Sequence, residues 1–272
     1  MKKGSMNKLH IAFIGGGNMA EALIAGLVRS GHQVDCLIVT DVRQERLNSL
    51  SDMYGVHTTT DNRKAVAEAD VVLMAVKPQQ MRSALASLSA YLKKGSTLIS
   101  IAAGMESAGI KEQVGRDDVA LVRVMPNTPA LVGAGMSVLF SSADESHRQR
   151  AEYILAASGE TAWVENEALL HAVTAVSGSG PAYFFLMAEI MQATGEKLGL
   201  PSELAEKLAS QTAAGAGKML AESGRKAEEM RHQVTSPGGT TQAALDAMYD
   251  HGLPGAIRAG VVAAAKRSRE LK

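Results

Sequence analysis

The sequence of 272 residues predicts an α/β domain with a doubly wound, mainly parallel sheet, followed by an all-α domain. Three observations support this prediction. Short apolar runs alternate with amphipathic stretches in the first half, a glycine-rich turn directly follows the first apolar run, and strand-like runs disappear after Glu165. We therefore predict an α/β domain over residues 7–164 and a helical domain over residues 165–272.

The apolar runs of the first domain are too short to be independent helices, and we predict them as strands at residues 11–14, 37–40, 71–76, 97–101 and 120–124. Helix-forming stretches lie between them at residues 19–30, 43–54 and 80–92. This β-α-β-α-β order implies parallel strands joined by right-handed crossovers. The helices would then cover both faces of the sheet.

The second domain is rich in Ala, Leu, Met and Glu and predicts helices at residues 182–198, 202–223, 226–233, 241–249 and 253–271. Small residues at positions 213–217 let helix backbones approach one another closely. This composition suits an interlocked helical dimer better than an exposed monomeric bundle.

Composition excludes several classes of partner. Lys plus Arg (28) equals Asp plus Glu (28), so no net field draws the chain to nucleic acid or to an anionic membrane. Cys36 is the single cysteine, which fits a reducing compartment, and we expect a cytoplasmic protein without a zinc cluster. No apolar run approaches the roughly 18 residues that span a bilayer. Because Met6 follows Met1 closely, residues 1–5 are given no functional weight.

The segment GGGNMA at residues 15–20 follows the first strand and opens the first helix. It matches the dinucleotide-binding fingerprint G-x-G-x-x-G/A in its required context. Gly15 allows the tight turn, and Gly17 lets the backbone approach a pyrophosphate whose charge the helix N-terminus attracts. We therefore predict a Rossmann-like dinucleotide site whose contacts here are Ile14, Gly15, Gly17, Asn18 and Met19.

Two residues after the second strand bear on the choice of cofactor. Asp41 stands where an acidic residue accepts hydrogen bonds from the adenine ribose, which favours NADH. Arg43 is an alternative contact that would hold the 2′-phosphate of NADPH, with Asp41 turned away from the phosphate. The sequence leaves both possibilities open.

The third predicted strand ends in a further cofactor segment, AVKP at residues 75–78. This segment lies at the carboxyl edge of the sheet, where doubly wound folds bind ligands. Lys77 is placed to meet a phosphate or carboxylate. We assign to the cofactor site all four residues, Ala75, Val76, Lys77 and Pro78.

Three more segments combine restricted backbone with small polar groups: MPNTP at 125–129, SGSGPAY at 177–183 and TSPGGTT at 235–241. With the turn at Gly15 and the strand end at 75–78, they have the order and spacing found in pyrroline-5-carboxylate reductases. The chain resembles that family over residues 8–271, and the last two motifs are specific to it. The resemblance implies reduction of L-1-pyrroline-5-carboxylate to L-proline, with NADPH favoured and NADH left open by Asp41.

The TSPGGTT segment predicts a loop that enters a helix, with exposed N–H groups at Gly238, Gly239 and Thr240 that attract a carboxylate. Glycine is needed because a side chain would block close approach of the backbone. Following the resemblance, Thr241 hydrogen-bonds or helps protonate the ring nitrogen as the catalytic residue. Ser236, Gly239 and Thr240 hold the carboxylate.

The resemblance assigns roles to two other segments. Ser177 and Ser179 line the substrate cavity before the helix that begins at Pro181. Asn127 orients the nicotinamide carboxamide, although an Asn in a Pro-flanked turn is more often structural. The family also implies a homodimer through the helical domain and larger rings of dimers. A protonated cyclic imine is already electrophilic, so its reduction needs positioning rather than a metal.

Two rival functions are weighed against this interpretation. β-Hydroxyacid dehydrogenases also join a dinucleotide domain to a helical one, but they carry a catalytic lysine early on the first long helix. Residues 183–194 contain no lysine, and Lys197 comes late. A non-catalytic NAD(P)-binding sensor would leave the TSPGGTT loop without a purpose. His171 is interpreted as a packed or capping histidine rather than as a general acid.

Overall fold

A computed structural model describes residues 6–271; residues 1–5, to which the sequence assigns no function, and residue 272 lie outside the described part. Within it, eight strands form one sheet in the order β3-β2-β1-β4-β5-β6-β7-β8. The strands are β1 Ile11–Ile14, β2 Leu37–Thr40, β3 His57–Thr59, β4 Val71–Met74, β5 Thr97–Ser100, β6 Ala120–Met125, β7 Gly135–Phe140 and β8 Gly159–Trp163.

The sheet is parallel from β3 through β6, whereas β7 runs antiparallel to β6 and β8 runs parallel to β7. β1 pairs with both β2 and β4, so the winding direction of the chain reverses between β1 and β4. In open α/β sheets, a crevice forms at this switch point outside the carboxyl ends of the strands. The topology therefore places the ligand crevice directly beyond Ile14 and Met74.

Side chains of the central strands alternate between two hydrophobic cores. Ile11 and Phe13 on β1 belong to one core, while Ala12 and Ile14 belong to the other. A parallel sheet that is covered on both faces needs such continuous apolar strands. The sequence IAFI of β1 and VVLM of β4 meets this need, and both strands are buried along their whole length.

The helices of the described chain precede or follow the strands as the crossovers require. Those that accompany the sheet are α1 Asn18–Arg29, α2 Gln44–Tyr54, α3 Asn62–Ala67, α4 Pro78–Leu88, α5 Ser107–Val114, α6 Glu145–Ala156 and α7 Leu169–Val173. A short π-helical turn, Thr174–Gly178, follows α7. The remaining helices are α8 Gly180–Lys197, α9 Ser202–Glu222, α10 Ala227–Gln233, α11 Thr240–Asp250 and α12 Leu253–Glu270.

The predicted fold class is confirmed, but the sequence underestimates the sheet. β3, β7 and β8 were not predicted. β3 consists of one histidine and two threonines, and β8 is only half-buried, so neither of these two strands has a continuous apolar pattern. The strand predicted over 71–76 ends at Met74, since Ala75 begins the turn at the crevice. The helix predicted over 80–92 begins at Pro78, the favoured first position of a helix, and ends at Leu88.

The described residues up to Gly178, together with those from Ala264 onward, form one compact unit, and Ser179–Ala263 form a second. This division differs from the boundary predicted between residues 164 and 165. α7 contributes the buried Leu170 to the first unit, and His171 accepts or donates a hydrogen bond with Ser268 near the chain end at 3.0 Å. Residues 165–178 and 264–271 of the predicted helical domain therefore belong to the first unit.

The second unit exposes large apolar side chains. On α8, Phe184 and Phe185 are 61% and 67% exposed, and Val262 on α12 is 68% exposed. By its length and a mean hydropathy of 1.2, the stretch Leu169–Lys197 is apolar enough to cross a membrane, which corrects the expectation that no apolar run approaches such a length. One such helix is weak evidence, because a helix that covers its apolar face with another protein chain passes the same test.

We predict that Gly26→Ala will strongly destabilise the sheet unit. Gly26 lies within α1, and a Cβ there would collide with the carbonyl oxygen of Ala157 at the end of α6. Overpacking against backbone should lower the free energy of unfolding by about 3 kcal/mol, measured by urea denaturation.

Gly109 in α5 provides the matched control, since a Cβ there meets no other heavy atom within 4 Å. Gly109→Ala should raise the free energy of unfolding by up to about 1 kcal/mol, because alanine is the better helix former. Equal effects of the two substitutions would contradict close packing of α1 on α6.

Candidate functional site

The glycine-rich turn after β1 is held against the end of β4. Gly15 has a left-handed φ of +100°, and a Cβ there would lie 2.9 Å from the carbonyl oxygen of Ala75. Its N–H donates to the Thr40 carbonyl at 2.9 Å, while the Ala75 N–H donates to the Ile14 carbonyl at 2.8 Å. Only glycine satisfies both the conformation and the space at this position.

Gly17 serves a different purpose. Its φ of −68° is open to any residue, and a Cβ there meets no protein atom within 4 Å. It is the N-cap of α1, so the free N–H groups of the first helical turn follow it. The open space beside these donors is what an approaching pyrophosphate requires.

A cavity of about 600 Å³ lies at the carboxyl ends of β1, β2 and β4. The predicted cofactor residues that line it are Ile14, Gly15, Gly17, Asp41, Arg43, Ala75, Val76 and Lys77. Three of the predicted contacts lie at helix starts beside it without lining it: Asn18 and Met19 open α1, and Pro78 opens α4. The switch point of the sheet therefore brings most of the predicted residues to one cavity.

Asp41 is bound on both carboxylate oxygens. Oδ1 accepts hydrogen bonds from the Arg43 backbone N–H at 3.0 Å and from Arg43 Nε at 3.1 Å. Oδ2 accepts from the Gly16 N–H at 3.0 Å and from Arg43 Nη2 at 3.3 Å. Burial disfavours the charged carboxylate, but the hydrogen bonds from Arg43 and Gly16 outweigh it and hold the pKa of Asp41 below its usual value. Asp41 is therefore ionised and links β2 to the glycine-rich turn.

Arg43 contrasts with its partner in exposure. The Arg43 side chain is 64% exposed and that of Asp41 only 9%. In the described part of the chain, Arg43 Nη1 makes no hydrogen bond, so the guanidinium retains free donors that face the cavity. Lys77, the N-cap residue of α4, is the other cationic residue in the lining of this cavity.

Sequence reasoning missed the other residues that line the cavity, which are Thr40, Val42, Thr60, Asn62, Gln80, Ser83, Ala84 and Ser87. Thr60 and Asn62 follow β3, whose three residues carry no apolar pattern. One signal was present in the sequence. Asp61 caps α3 by accepting hydrogen bonds from the N–H groups of Arg63 and Lys64, and such a cap after a run of threonines marks a strand-to-helix turn.

The segment that carries Ser177 is anchored to the end of β6. Ser177 is half-buried in the π-helical turn, and a Cβ on the next residue, Gly178, would collide with the Met125 side chain. Asn127 Nδ2 donates to Ser177 Oγ at 3.2 Å and to the Ser177 carbonyl at 3.4 Å. Asn127 does not line the cofactor cavity, so the structure gives its amide protein partners rather than a place beside that cavity.

An ion pair holds the start of the same segment. Arg123 on β6, 7% exposed, donates from Nη1 to Glu167 Oε1 at 2.6 Å. Glu167 also accepts from the N–H and the hydroxyl of Ser107 at 2.6 and 2.7 Å. Although burial raises the pKa of Glu167, the bonds from Arg123 and Ser107 bring it below its ordinary value. The segment from Glu167 to Gly178 is thus fixed to the sheet at both ends.

The TSPGGTT loop lies within the second unit. Gly238 has a left-handed φ of +70°, and Gly239 is the N-cap of α11. The Gly239 N–H donates to the Ser236 carbonyl at 3.0 Å, which corrects the expectation that this N–H is exposed for a ligand. Among the described residues, the Gly238 N–H has no backbone acceptor, and the N–H groups of Thr240 and Thr241 at the start of α11 have none within the helix.

Two family models match the chain. Residues 167–271 match the model described as pyrroline-5-carboxylate reductase dimerisation, and residues 10–104 match the one described as NADP oxidoreductase, coenzyme F420-dependent. The first covers the helical half, and the second covers the glycine-rich turn and the cavity.

Whole-length relatives agree with the helical model. A pyrroline-5-carboxylate reductase from Pseudomonas aeruginosa is 42% identical over 268 residues, 98% of either chain. A solved structure of such a reductase from Coxiella burnetii is 38% identical, with a TM-score of 0.92 over 97% of this chain and 99% of that one. One from Plasmodium falciparum with NADP bound is 28% identical, with a TM-score of 0.85 over 97% and 98%. The chain therefore belongs to the pyrroline-5-carboxylate reductase family.

Proposed function

We propose that the chain reduces L-1-pyrroline-5-carboxylate to L-proline with NAD(P)H, the final step of proline biosynthesis. The observation that carries this function is 42% identity to a pyrroline-5-carboxylate reductase along 98% of the chain, together with a dinucleotide cavity at the switch point of the sheet. The rival functions, a hydroxyacid dehydrogenase and a non-catalytic sensor, are not favoured. A 3-hydroxyisobutyrate dehydrogenase from Mycobacterium tuberculosis shares the fold at only 19% identity and a TM-score of 0.53.

The residues around the cavity fit a dinucleotide. Gly15 keeps the turn close to β4, Gly17 leaves room for a pyrophosphate, and the start of α1 supplies N–H donors. We assign Ile14, Ala75 and Val76 to the walls of the site, with Asn18, Met19 and Pro78 at the helix starts. When bound, the reduced nicotinamide supplies a hydride to the imine carbon, and the ring nitrogen keeps its proton to give the secondary amine.

The contacts of Asp41 support NADPH as the preferred cofactor. Each carboxylate oxygen already accepts two hydrogen bonds, so few lone pairs remain for ribose hydroxyls. Arg43 is oriented by the carboxylate and keeps free donors for a 2′-phosphate. Asp41 is then a positioning residue for Arg43 and for the turn at Gly16. Lys77, at the start of α4, is assigned to another phosphate of the cofactor.

We assign two groups to the substrate, each within its own unit: the loop at residues 236–241 in the second unit, and Ser177 in the first. The N–H of Thr240 and the hydroxyls of Ser236 and Thr240 bind the carboxylate at the positive end of α11, while Gly238 and Gly239 keep side chains out of its path. Thr241 hydrogen-bonds the ring nitrogen. Its hydroxyl is a weak acid, so its contribution is orientation of the protonated imine for the hydride.

The helical unit is proposed to form a homodimer in the cytoplasm, with rings of dimers as the larger assembly. The match of residues 167–271 to a dimerisation model supports the dimer. The exposed phenylalanines of α8 support it as well, because monomeric proteins rarely leave such a surface open. No nucleic acid or membrane is expected as a partner.

The reaction is tested by adding L-1-pyrroline-5-carboxylate and NADPH to the purified protein and following the absorbance of the reduced nicotinamide. We expect rapid oxidation that yields proline. A folded protein that oxidises neither NADPH nor NADH with this imine would contradict the reaction and favour the sensor.

Arg43→Ala should change the cofactor preference. Loss of the guanidinium should lower kcat/KM for NADPH by about tenfold or more, because charge-assisted bonds to a phosphate are among the strong ones. It should leave kcat/KM for NADH unchanged or improved, because Asp41 regains free lone pairs.

Arg82→Ala is the matched control, since Arg82 is an exposed residue of α4 that does not line the cavity. Steady-state kinetics with both cofactors measure the ratio. Equal loss with NADH and NADPH in the Arg43 variant would sink the phosphate assignment.

Thr241→Ala should lower kcat/KM for the imine by about tenfold, the worth of one hydrogen bond in a desolvated site. The dissociation constant of NADPH, measured by fluorescence titration, should stay within about twofold. Thr241→Ser retains the hydroxyl and should recover most of the activity. Full activity of the alanine variant would remove Thr241 from the mechanism.

A further inference from the structure

Asn127 uses both ends of its carboxamide inside the protein. Its Oδ1 accepts the backbone N–H of Met136 at 2.8 Å, and its Nδ2 donates to Ser177 at 3.2 Å. The side chain is half-buried at the turn that follows β6. A residue placed in the sequence as a nicotinamide contact is therefore the link between two other segments.

The Met136 N–H determines which way the amide faces. β6 and β7 form antiparallel pairs only as far as Met125 opposite Val138, so Met136 lies beyond the end of this ladder. Its N–H can only donate, and the atom that faces it must therefore be Oδ1 of Asn127. The opposite end of the amide, Nδ2, then faces Ser177 as a donor.

The direction of this bond constrains the Ser177 hydroxyl. Because Asn127 Nδ2 donates to Oγ, the hydroxyl oxygen acts as acceptor and its hydrogen is directed to another group. The contact of Gly178 with Met125 keeps the turn close to β6 and preserves this geometry. Ser177 is thus prepared to donate a hydrogen bond to an anionic or carbonyl oxygen.

We propose that Asn127 is a positioning residue of the reductase: it fixes the place and the hydrogen-bond direction of Ser177, so that the Ser177 hydroxyl donates to the substrate carboxylate. Each group in this chain donates a hydrogen bond to the next: the Met136 N–H to Asn127 Oδ1, Asn127 Nδ2 to Ser177 Oγ, and the Ser177 hydroxyl to the substrate carboxylate. This inference rests on the proposed function, because it takes Ser177 as a substrate contact. This positioning role takes the place of the direct contact between Asn127 and the nicotinamide that the sequence predicts.

Asn127→Asp reverses the last internal bond. One carboxylate oxygen still accepts the hydrogen bond from the Met136 N–H. The other oxygen now accepts a hydrogen bond from the Ser177 hydroxyl, whereas the native Nδ2 donates one to it. We expect the KM for L-1-pyrroline-5-carboxylate to rise about tenfold, while the dissociation constant of NADPH stays within about twofold. If Asn127 were merely structural, the substitution would lower the stability of the protein without raising the KM for the imine more than the dissociation constant of NADPH. NADPH binding weakened as much as the imine KM would overturn the proposal.

A double-mutant cycle isolates the pair. Asn127→Ala and Ser177→Ala should each raise the imine KM, and the double variant should be no worse than Ser177→Ala alone. Additive effects would overturn the coupling. Asn48→Ala is the matched control, because Asn48 is exposed on α2 and bonds only with Gln44 in the described chain.

Hydrogen–deuterium exchange separates this inference from the proposed function. Asn127→Ala should speed exchange of a peptide that covers residues 174–178, whereas Asn48→Ala should leave it unchanged. Unchanged exchange in the Asn127 variant would overturn the contact with Ser177, and this result does not depend on which substrate the enzyme reduces. Faster exchange in a protein that does not reduce the imine would overturn the carboxylate contact along with the proposed function.

Discussion

The close approach of two backbone turns, one after β1 and one after β4, is the constraint on which the cofactor site depends. Parallel pairing of β1 with β4 brings Gly15 against Ala75, with no room for a side chain between them. Because the turn cannot move outward without breaking its hydrogen bonds to β2 and β4, the start of α1 is fixed as well. The pyrophosphate donors thereby gain a defined position before any ligand arrives.

Electrostatics around this turn follow from the same arrangement. Asp41 is almost buried, yet it remains charged because backbone N–H groups and one guanidinium surround it. Its negative charge is thus balanced locally, and the outward part of Arg43 gives the cavity mouth a positive character. The Asp41 carboxylate orients the Arg43 guanidinium, which we propose as the contact for a 2′-phosphate. Asp41 also ties the end of β2 to the glycine-rich turn, because it accepts a hydrogen bond from the Gly16 N–H.

The segment from Glu167 to Gly178 shows how a sheet can position residues on a neighbouring helix. An ion pair with Arg123 holds one end, and Asn127 with Met125 holds the other. Both anchors lie on or directly after β6. A π-helical turn, which is rare and often found at functional sites, provides the irregular backbone on which Ser177 is presented. The substrate loop at Ser236 is built within the other unit by the ordinary means of a glycine-rich helix start.

The sequence by itself determined the elements whose signals are local. The IAFI and VVLM runs, the GGGNMA turn and the Gly-Gly-Thr-Thr helix start each depend on neighbouring residues, because strand burial, tight turns and helix starts are local physical requirements. Short or half-exposed strands such as β3 and β8 carry too little apolar pattern to be recognised. Only the tertiary structure decided the hydrogen-bond partners of Asp41, Asn127 and Glu167. Their partners lie up to 60 residues away along the chain, and a hydrogen bond over that distance depends on how strands and helices pack.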